Sequence, residues 1–446
     1  DRYPLTTITM FPFSSVGGQL FPALFRPSGD RLPASNHQMK PNFKPLQTEN
    51  QATELKKWKQ LSGEGKWNGL LDPLDIDLRR YIIHYGEMSQ ATYDCFNFQK
   101  WSRHAGNSMF AIKNFFSRVG LENSTVSMYK VTKFLYATSK IEVPEGFLLR
   151  SMSREAWNKE SNWIGYVAVV DDEGKAAVGR RDIVVAWRGT VEAMEWATDL
   201  EFRLVSASEI LGDVVGDSKV HHGWLELYTA TDSRSKMNEK SARDQVLEEV
   251  KRLVELYQDE EISITLTGHS LGAAMATLSA ADIVANKLNQ PNSRQSEACP
   301  VTVVVFASPR VGDRDFQQFC SSRSDLRVLR VRNESDLVPK VSPKGFVDVG
   351  EELLIDTTAS PYLKETNFPP DWHNLEAYLH MVAGSQGSAG EFKLEIPRAI
   401  ELINKSMDGV KEEFHVPPCW WTPQNKGMKQ MDNGSWKLID FEDDNS

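Results

Sequence analysis

Between Ile262 and Ile283 the chain runs ISITLTGHSLGAAMATLSAADI, and no other stretch narrows the possible folds as much. ISITLTG (262–268) reads as a strand: short, β-branched and apolar without alternation, as expected of a strand covered on both faces. From Leu271 a run of small residues reads as a helix. At the junction, Gly268-His269-Ser270-Leu271-Gly272 fits G-x-S-x-G. Its strand–turn–helix setting makes it a nucleophile elbow, a tight turn that projects a serine hydroxyl at the end of a sheet. Side chains at 268 or 272 would collide with neighbouring backbone, and Ala273, Ala274 and Ala276 let the helix lie close to the sheet. The small residues are thus the steric requirement of exposing one serine. The helix N-terminus adds a positive field beside it.

The flanking sequence repeats the theme. WIGYVAVV (163–170), DIVVAWRG (182–189), VTVVVFA (301–307) and LRVLRVRN (326–333) are strand-like. ARDQVLEEVKRLVELYQD (242–259) carries Val246, Leu247, Val250, Leu253, Val254 and Tyr257 on one helical face. Apolar residues at helical spacing after a proline predict another helix near 75–94. Strands alternating with helices imply parallel βαβ units, hence an α/β fold with a mostly parallel central sheet. The expected organisation is a leader over 1–50, a helical region over 51–160, the core over 161–400 and an extension over 401–446.

Composition excludes several classes. No apolar run approaches the roughly 18–20 residues needed to span a bilayer. The formal charge is −10 and no long Lys/Arg run is present, so a nucleic-acid footprint is missing. Cys95, Cys299, Cys320 and Cys419 are scattered without a CxxC pair, which argues against a zinc cluster or disulfide scaffold and for reduced thiols in the cytosol. Of the Asn-x-Ser/Thr sequons, at Asn123, Asn333, Asn404 and Asn433, Asn333 stands three residues before a catalytic candidate, a poor place for a glycan. Residues 1–50 lack periodicity and hold only Asp1, Asp30 and Glu49 as acids. They read as a disordered leader or a plastid transit segment.

A serine hydroxyl needs a general base, and the base an orienting acid. In this fold class the chain order is Ser, Asp/Glu, His. Asp336 follows the strand 326–333 by a few residues, at the carboxyl end where such sites lie; Asp325, Asp348, Asp356 and Asp371 lack that placement. After it come His373, His380 and His415. His373 precedes a helical pattern of Leu375, Tyr378, Leu379 and Val382 and can swing over the sheet edge, whereas His380 falls inside that helix. His269 points away from its neighbour Ser270. An oxyanion hole should use the N–H of Leu271 and the loop after 184–188, where Thr190 adds a hydroxyl. The chemistry asks for no metal or cofactor.

VVAWRGT, VHHGW, TLTGHSLGAA, FASPRVGD and RVRNESDLVPK together resemble the class 3 lipases, with an α/β-hydrolase core. LDPLDIDLRRYIIHYGEMSQATYD, KVTKFLYATS, HNLEAYLHMVAGSQG and SMDGVKEEFHVPPCWW resemble their plant phospholipase A1 class II branch. The resemblance spans roughly residues 54–440. It implies a Ser270–Asp336–His373 triad and hydrolysis of the sn-1 ester of glycerophospholipids. Other acyl lipids are the alternative substrates, and a lipase-like signalling scaffold is the alternative of another class. The branch is cytosolic; the long N-terminus keeps a plastid address open.

A lipid substrate also implies contact with an apolar interface. The stretch 202–224 carries the pairs Leu204-Val205, Ile210-Leu211 and Val214-Val215 among polar residues. It suggests a lid over Ser270, centred on 206–217, whose apolar side meets lipid when open.

Overall fold

The computed structural model describes residues 57–143, 146–154, 161–190, 203–212, 217–292, 297–341, 344–366, 368–387, 390–421, 428–431 and 434–438. The leader expected over 1–50 lies outside them, as does the segment 213–216 of the expected lid.

Among the described residues the strands are β1 (Tyr129–Ala137), β2 (Asn162–Val170), β3 (Arg181–Trp187), β4 (Leu204–Ser206), β5 (Lys219–His221), β6 (Ile262–His269), β7 (Val301–Phe306), β8 (Leu326–Asn333), β9 (Glu351–Ile355) and a C-terminal pair, β10 (Met428–Gln430) and β11 (Trp436–Leu438). Seven form one sheet in the order β1-β2-β3-β6-β7-β8-β9, while β4 and β5 pair as a separate hairpin. From β3 to β9 all neighbours are parallel; β1 and β2 extend the sheet antiparallel. This is the α/β-hydrolase architecture that the sequence implies.

Both faces of the sheet are covered. Ile183, Val185 and Trp187 of β3 join a core built with the helices Ala242–Leu256 and Leu271–Ala285. Val184 and Ala186, on the opposite face, join one built with the helices Ile76–Asp94 and Leu375–Gly384. Each fully buried Val or Ile contributes about 1.5–3 kcal/mol, which is why these strands read as unbroken apolar runs. Two strands of the seven-stranded sheet escaped the pattern. β1 carries two register shifts that break its period-two signal. β9 is five residues long, starts with two glutamates and sits half-exposed at the far edge.

Buried polar groups tie the layers together. The carboxylate of Asp182, at the start of β3, accepts from the hydroxyls of Tyr85 (2.7 Å), Tyr129 (2.8 Å), Ser263 (2.7 Å) and Thr265 (3.0 Å). One side chain thereby joins the N-terminal helix, β1, β3 and β6, with its charge fully hydrogen-bonded as burial requires. A second network holds the helix Leu375–Gly384 from outside. Arg398 donates to Glu376 at 2.6 Å, and Lys405 pairs with both Asp94 (2.7 Å) and Glu376 (3.1 Å). The C-terminal segment is thus clamped across two helices.

Buried histidines, His221 and His380 among them, make stability pH-dependent. Burial lowers His221 to about 4 and His380 to about 3. Below about pH 6.5 the unfolded chain takes up protons at these positions while the folded chain does not. Stability should therefore fall as pH drops from about 6.5 toward 4, by up to about 1.4 kcal/mol per unit for each histidine. Thermal melts across that range test this: His380→Gln, which cannot titrate, should give a shallower decline than the wild type, and an equal slope would contradict the assignment.

Candidate active site

Ser270 stands between β6 and the helix Leu271–Ala285 with φ 57 and ψ −125. A non-glycine residue held so far from the common wells costs of order 1–3 kcal/mol, so its surroundings must hold it there. A Cβ at Gly268 would collide with the backbone of Gly272, and one at Gly272 with the Trp187 carbonyl at the end of β3. The turn therefore fits only if both stay bare. The Ser270 N–H donates to the Phe306 carbonyl at 3.0 Å, fastening the turn to β7.

Asp336 hangs from the turn that leaves β8, its N–H donating to the Asn333 carbonyl at 3.2 Å. Its carboxylate is buried and fully engaged. Oδ1 accepts from the Val338 N–H at 2.9 Å, and Oδ2 faces Nδ1 of His373 at 2.7 Å. With the carboxylate as acceptor, Nδ1 carries the proton and Nε2 keeps its lone pair. The His373 ring lies 4.5 Å from that of His269, the residue before the serine. The acid and base predicted from chain order are hydrogen-bonded, and the base lies beside the elbow.

Four buried polar atoms here have no hydrogen-bond partner: Ser270 Oγ, His373 Nε2 and Thr190 Oγ1, where the reaction needs them, and His269 Nε2 beside them. Buried polar atoms are nearly always paired, and exceptions ask for a reason. A hydroxyl to be deprotonated, a nitrogen to receive the proton and a donor for a developing oxyanion supply one. Leu271 opens the helix, so its N–H belongs to the set without an intrahelical acceptor. The loop before Thr190 presses on the elbow, since a Cβ at Gly189 would meet the Tyr93 hydroxyl and the His269 carbonyl. Thr190 is itself buried.

The other candidates lie elsewhere. His380 faces the Ser360 hydroxyl at 2.8 Å through Nε2, and His415 is exposed. Asp325 accepts from Asn289, Asp348 pairs with Arg310 and Arg330, Asp356 caps the turn at Thr358, and Asp371 accepts from Thr366. Over 206–212 the stretch expected as a lid is packed down in this structure. Ile210 and Leu211 are its apolar pair there. They are buried in the core that includes the helix Leu271–Ala285, and the Asn286 amide holds the Ile210 carbonyl at 2.8 Å. The preceding residues are pinned by pairing of β4 with β5. Among the described residues no group of three His, Cys, Asp or Glu side chains could hold a metal ion.

Residues 184–346 match the family described as Lipase (class 3). Phospholipase A1-IIgamma of Arabidopsis thaliana is 56% identical over 394 residues, which is 87% of this chain and 94% of the relative. Phospholipase A1-II 6 of Oryza sativa subsp. japonica is 54% identical over 395 residues, 87% and 96% respectively. The chain belongs to the plant phospholipase A1-II family of class 3 lipases. A solved lipase from Rhizopus microsporus var. chinensis superposes more loosely, with a TM-score of 0.40 at 21% identity over 64% of this chain and 76% of that one.

In this family member several residues around the pair were not legible as site residues. Tyr378, counted in the sequence as one apolar position of a helix, donates its hydroxyl to Asp336 Oδ2 at 2.6 Å and accepts the Asn333 N–H at 3.1 Å. Asn333 carries a sequon, yet its buried amide donates to Thr357 Oγ1 and to the Trp372 carbonyl and accepts from the Thr357 N–H. It thereby fixes the backbone immediately before His373. Tyr93 meets His269 Nδ1 at 2.8 Å. Burial, with His373 beside it, holds His269 well below the usual histidine range, so the ring is neutral. Arg188 is buried with its guanidinium spent on the carbonyls of Trp163, Gly189 and Phe147, and burial lowers it to about 10. The phenol at 378 offered a weak signal, since a tyrosine among buried helical positions needs a partner for its hydroxyl.

Tyr378→Phe removes one of two donors on the same carboxylate oxygen. A hydrogen bond to a charged group is worth about 1.5–3 kcal/mol, so kcat should fall about tenfold or more with KM nearly unchanged. Steady-state kinetics on a soluble ester, with circular dichroism to check folding, decides this. An unchanged kcat would assign the hydroxyl to structure alone.

Proposed function

We propose that this chain is a phospholipase A1 that cleaves the sn-1 ester of glycerophospholipids through an acyl-enzyme on Ser270. The observation that carries the reading is the His373–Asp336 hydrogen bond beside a strained serine elbow, in a chain more than half identical to a relative named phospholipase A1-IIgamma.

The chemistry follows from the geometry. His373 Nε2, its lone pair free because Nδ1 donates to Asp336, takes the proton from Ser270 Oγ as that oxygen attacks the acyl carbonyl. The negative charge moves to the former carbonyl oxygen, where the Leu271 N–H and the Thr190 hydroxyl stabilise it. His373 then returns the proton to the glycerol oxygen, and the lyso-lipid leaves. Water, deprotonated by the same nitrogen, releases the fatty acid and restores the serine. Asp336 keeps the tautomer and stabilises the imidazolium without taking the proton. Ser270 is fully buried, so a lipid chain reaches it only after part of its cover moves.

The test uses phosphatidylcholine with distinguishable acyl chains at sn-1 and sn-2. Release from sn-1 by the wild type, abolished in a folded Ser270→Ala variant, is the expected result. An Asp336→Asn variant should lose roughly four orders of magnitude in kcat, the effect of disturbing the tautomer in such triads. Release confined to triacylglycerol or galactolipid would replace the substrate. A failure of Ser270 to react with a fluorophosphonate would leave the scaffold reading.

We also place the chain in the cytosol. All four cysteines are free thiols, three of them buried, and two of the sequon asparagines, Asn333 and Asn404, are buried with their amides hydrogen-bonded. Fractionation of cells expressing the whole chain, residues 1–50 included, tests this, and recovery in plastids would overturn it.

A further inference from the structure

The loop that follows the N-terminal helix is unlike the rest of the surface. Tyr93, near the end of that helix, touches the elbow through His269. Phe96 lies under the Arg188 guanidinium, 3.9 Å from ring centroid to its carbon. The chain then turns outward at the carboxyl edge of the sheet and exposes Phe98 (54%) and Trp101 (77%). A second loop is bound to it: the Met152 N–H donates to the Lys100 carbonyl at 2.8 Å, and the Ser151 hydroxyl to that of Ser102 at 3.0 Å. Met152 is itself 53% exposed. Asn162, which opens β2, anchors this loop by accepting from the Leu149 N–H and donating to its carbonyl. Three large apolar side chains are therefore presented on mutually braced backbone, the first of the two loops following a helix end that touches the catalytic elbow through Tyr93.

The charge around them is equally distinct. In a chain of formal charge −10, residues 95–121 contain Lys100, Arg103, Lys113 and Arg118 and no acid. Arg103, Arg150 and Arg154 are exposed on the two loops. Across the site, Leu337 (40%) directly follows Asp336 and Phe368 (61%) precedes His373 by five residues. Scattered exposed apolar residues are ordinary, but apolar side chains flanking a catalytic site, with an acid-free cationic loop on one flank, are not.

We propose that this rim is a membrane-docking face, with Trp101, Phe98 and Met152 entering the headgroup region and Arg103, Arg150 and Arg154 selecting an anionic phospholipid surface. The inference rests on the reading of the chain as a phospholipase and names how it meets its substrate. Tryptophan suits a water–lipid boundary, having an apolar body and one polar N–H. Cations beside it gain from anionic headgroups within a Debye length. A lipid surface fits better than a folded protein partner, because exposed apolar side chains and exposed arginines share the same two loops, the pairing that an apolar interior under anionic headgroups would recognise.

The experiment uses the full chain and vesicles of phosphatidylcholine with and without phosphatidylserine, measuring vesicle sedimentation and lipid hydrolysis beside hydrolysis of a soluble short-chain ester. Wild type should bind the phosphatidylserine vesicles more tightly, and salt should weaken that preference. Trp101→Ala should weaken binding to both vesicle types by about tenfold, and the combined Arg103→Gln, Arg150→Gln and Arg154→Gln variant should abolish the preference. In both variants turnover of the soluble ester should stay at the wild-type rate. Vesicle binding and hydrolysis unchanged in both variants would overturn the docking face while leaving the phospholipase reading intact. Binding that responds as expected while no phospholipid is cleaved would support the face and remove that reading. Variants that change the oligomeric state and leave lipid binding alone would assign the face to a second copy of the chain and overturn the proposal.

Discussion

Ser270 is held in a backbone conformation that its own Cβ disfavours, and the surrounding packing is arranged to leave it no other. The strained turn is wedged between the end of β3 and the start of its own helix, where bare Gly268 and Gly272 permit contact that any side chain would block. Its N–H is taken by β7, and the preceding His269 is taken by Tyr93. The strain, of order 1–3 kcal/mol, is small beside the buried apolar surface of the parallel strands around it. That ratio lets the fold keep a reactive hydroxyl at a fixed point while burying nearly everything near it.

The other reactive groups are fixed by backbone as well as by one another. Asp336 rides on the turn after β8, and His373 is positioned through the Trp372 carbonyl held by Asn333. Asn374 then caps the helix that follows by accepting from the Ala377 N–H, and the ion pairs of Glu376 with Arg398 and Lys405 clamp that helix from outside. Such buried pairs add little net stability against their desolvation. Here they join the C-terminal segment to the helix that begins just after the base. Around the carboxylate every acceptor is used, while the atoms that must exchange a proton are left without partners, and the contrast marks where chemistry takes place.

Much of this was readable beforehand, unevenly. The helix expected near 75–94 spans Ile76–Asp94, and the strand expected at 326–333 has those bounds. The sequence did not reveal β1, because its register shifts erase the period-two pattern, nor β9, because it is short, half-exposed and begins with two glutamates. Ile210 and Leu211, expected on the apolar side of a lid, are packed in the core with the helix Leu271–Ala285. An apolar pair beside polar residues looks the same whether it faces lipid or a neighbouring helix, and only tertiary packing tells the two apart.

What the sequence determined by itself was local or ordinal. The elbow is a steric statement about five consecutive residues, and the order of serine, acid and base follows the order of strands along the sheet. Those constraints act along the chain, so one dimension suffices to read them. The tertiary structure decided everything that joins distant segments: that Tyr378 and His373 share one oxygen of Asp336, that a sequon asparagine is a buried brace, and that loops 97–104 and 146–154 meet beside the site. Hydrogen bonds and packing depend on separation in space, and residues hundreds apart in sequence become neighbours only when the sheet is assembled.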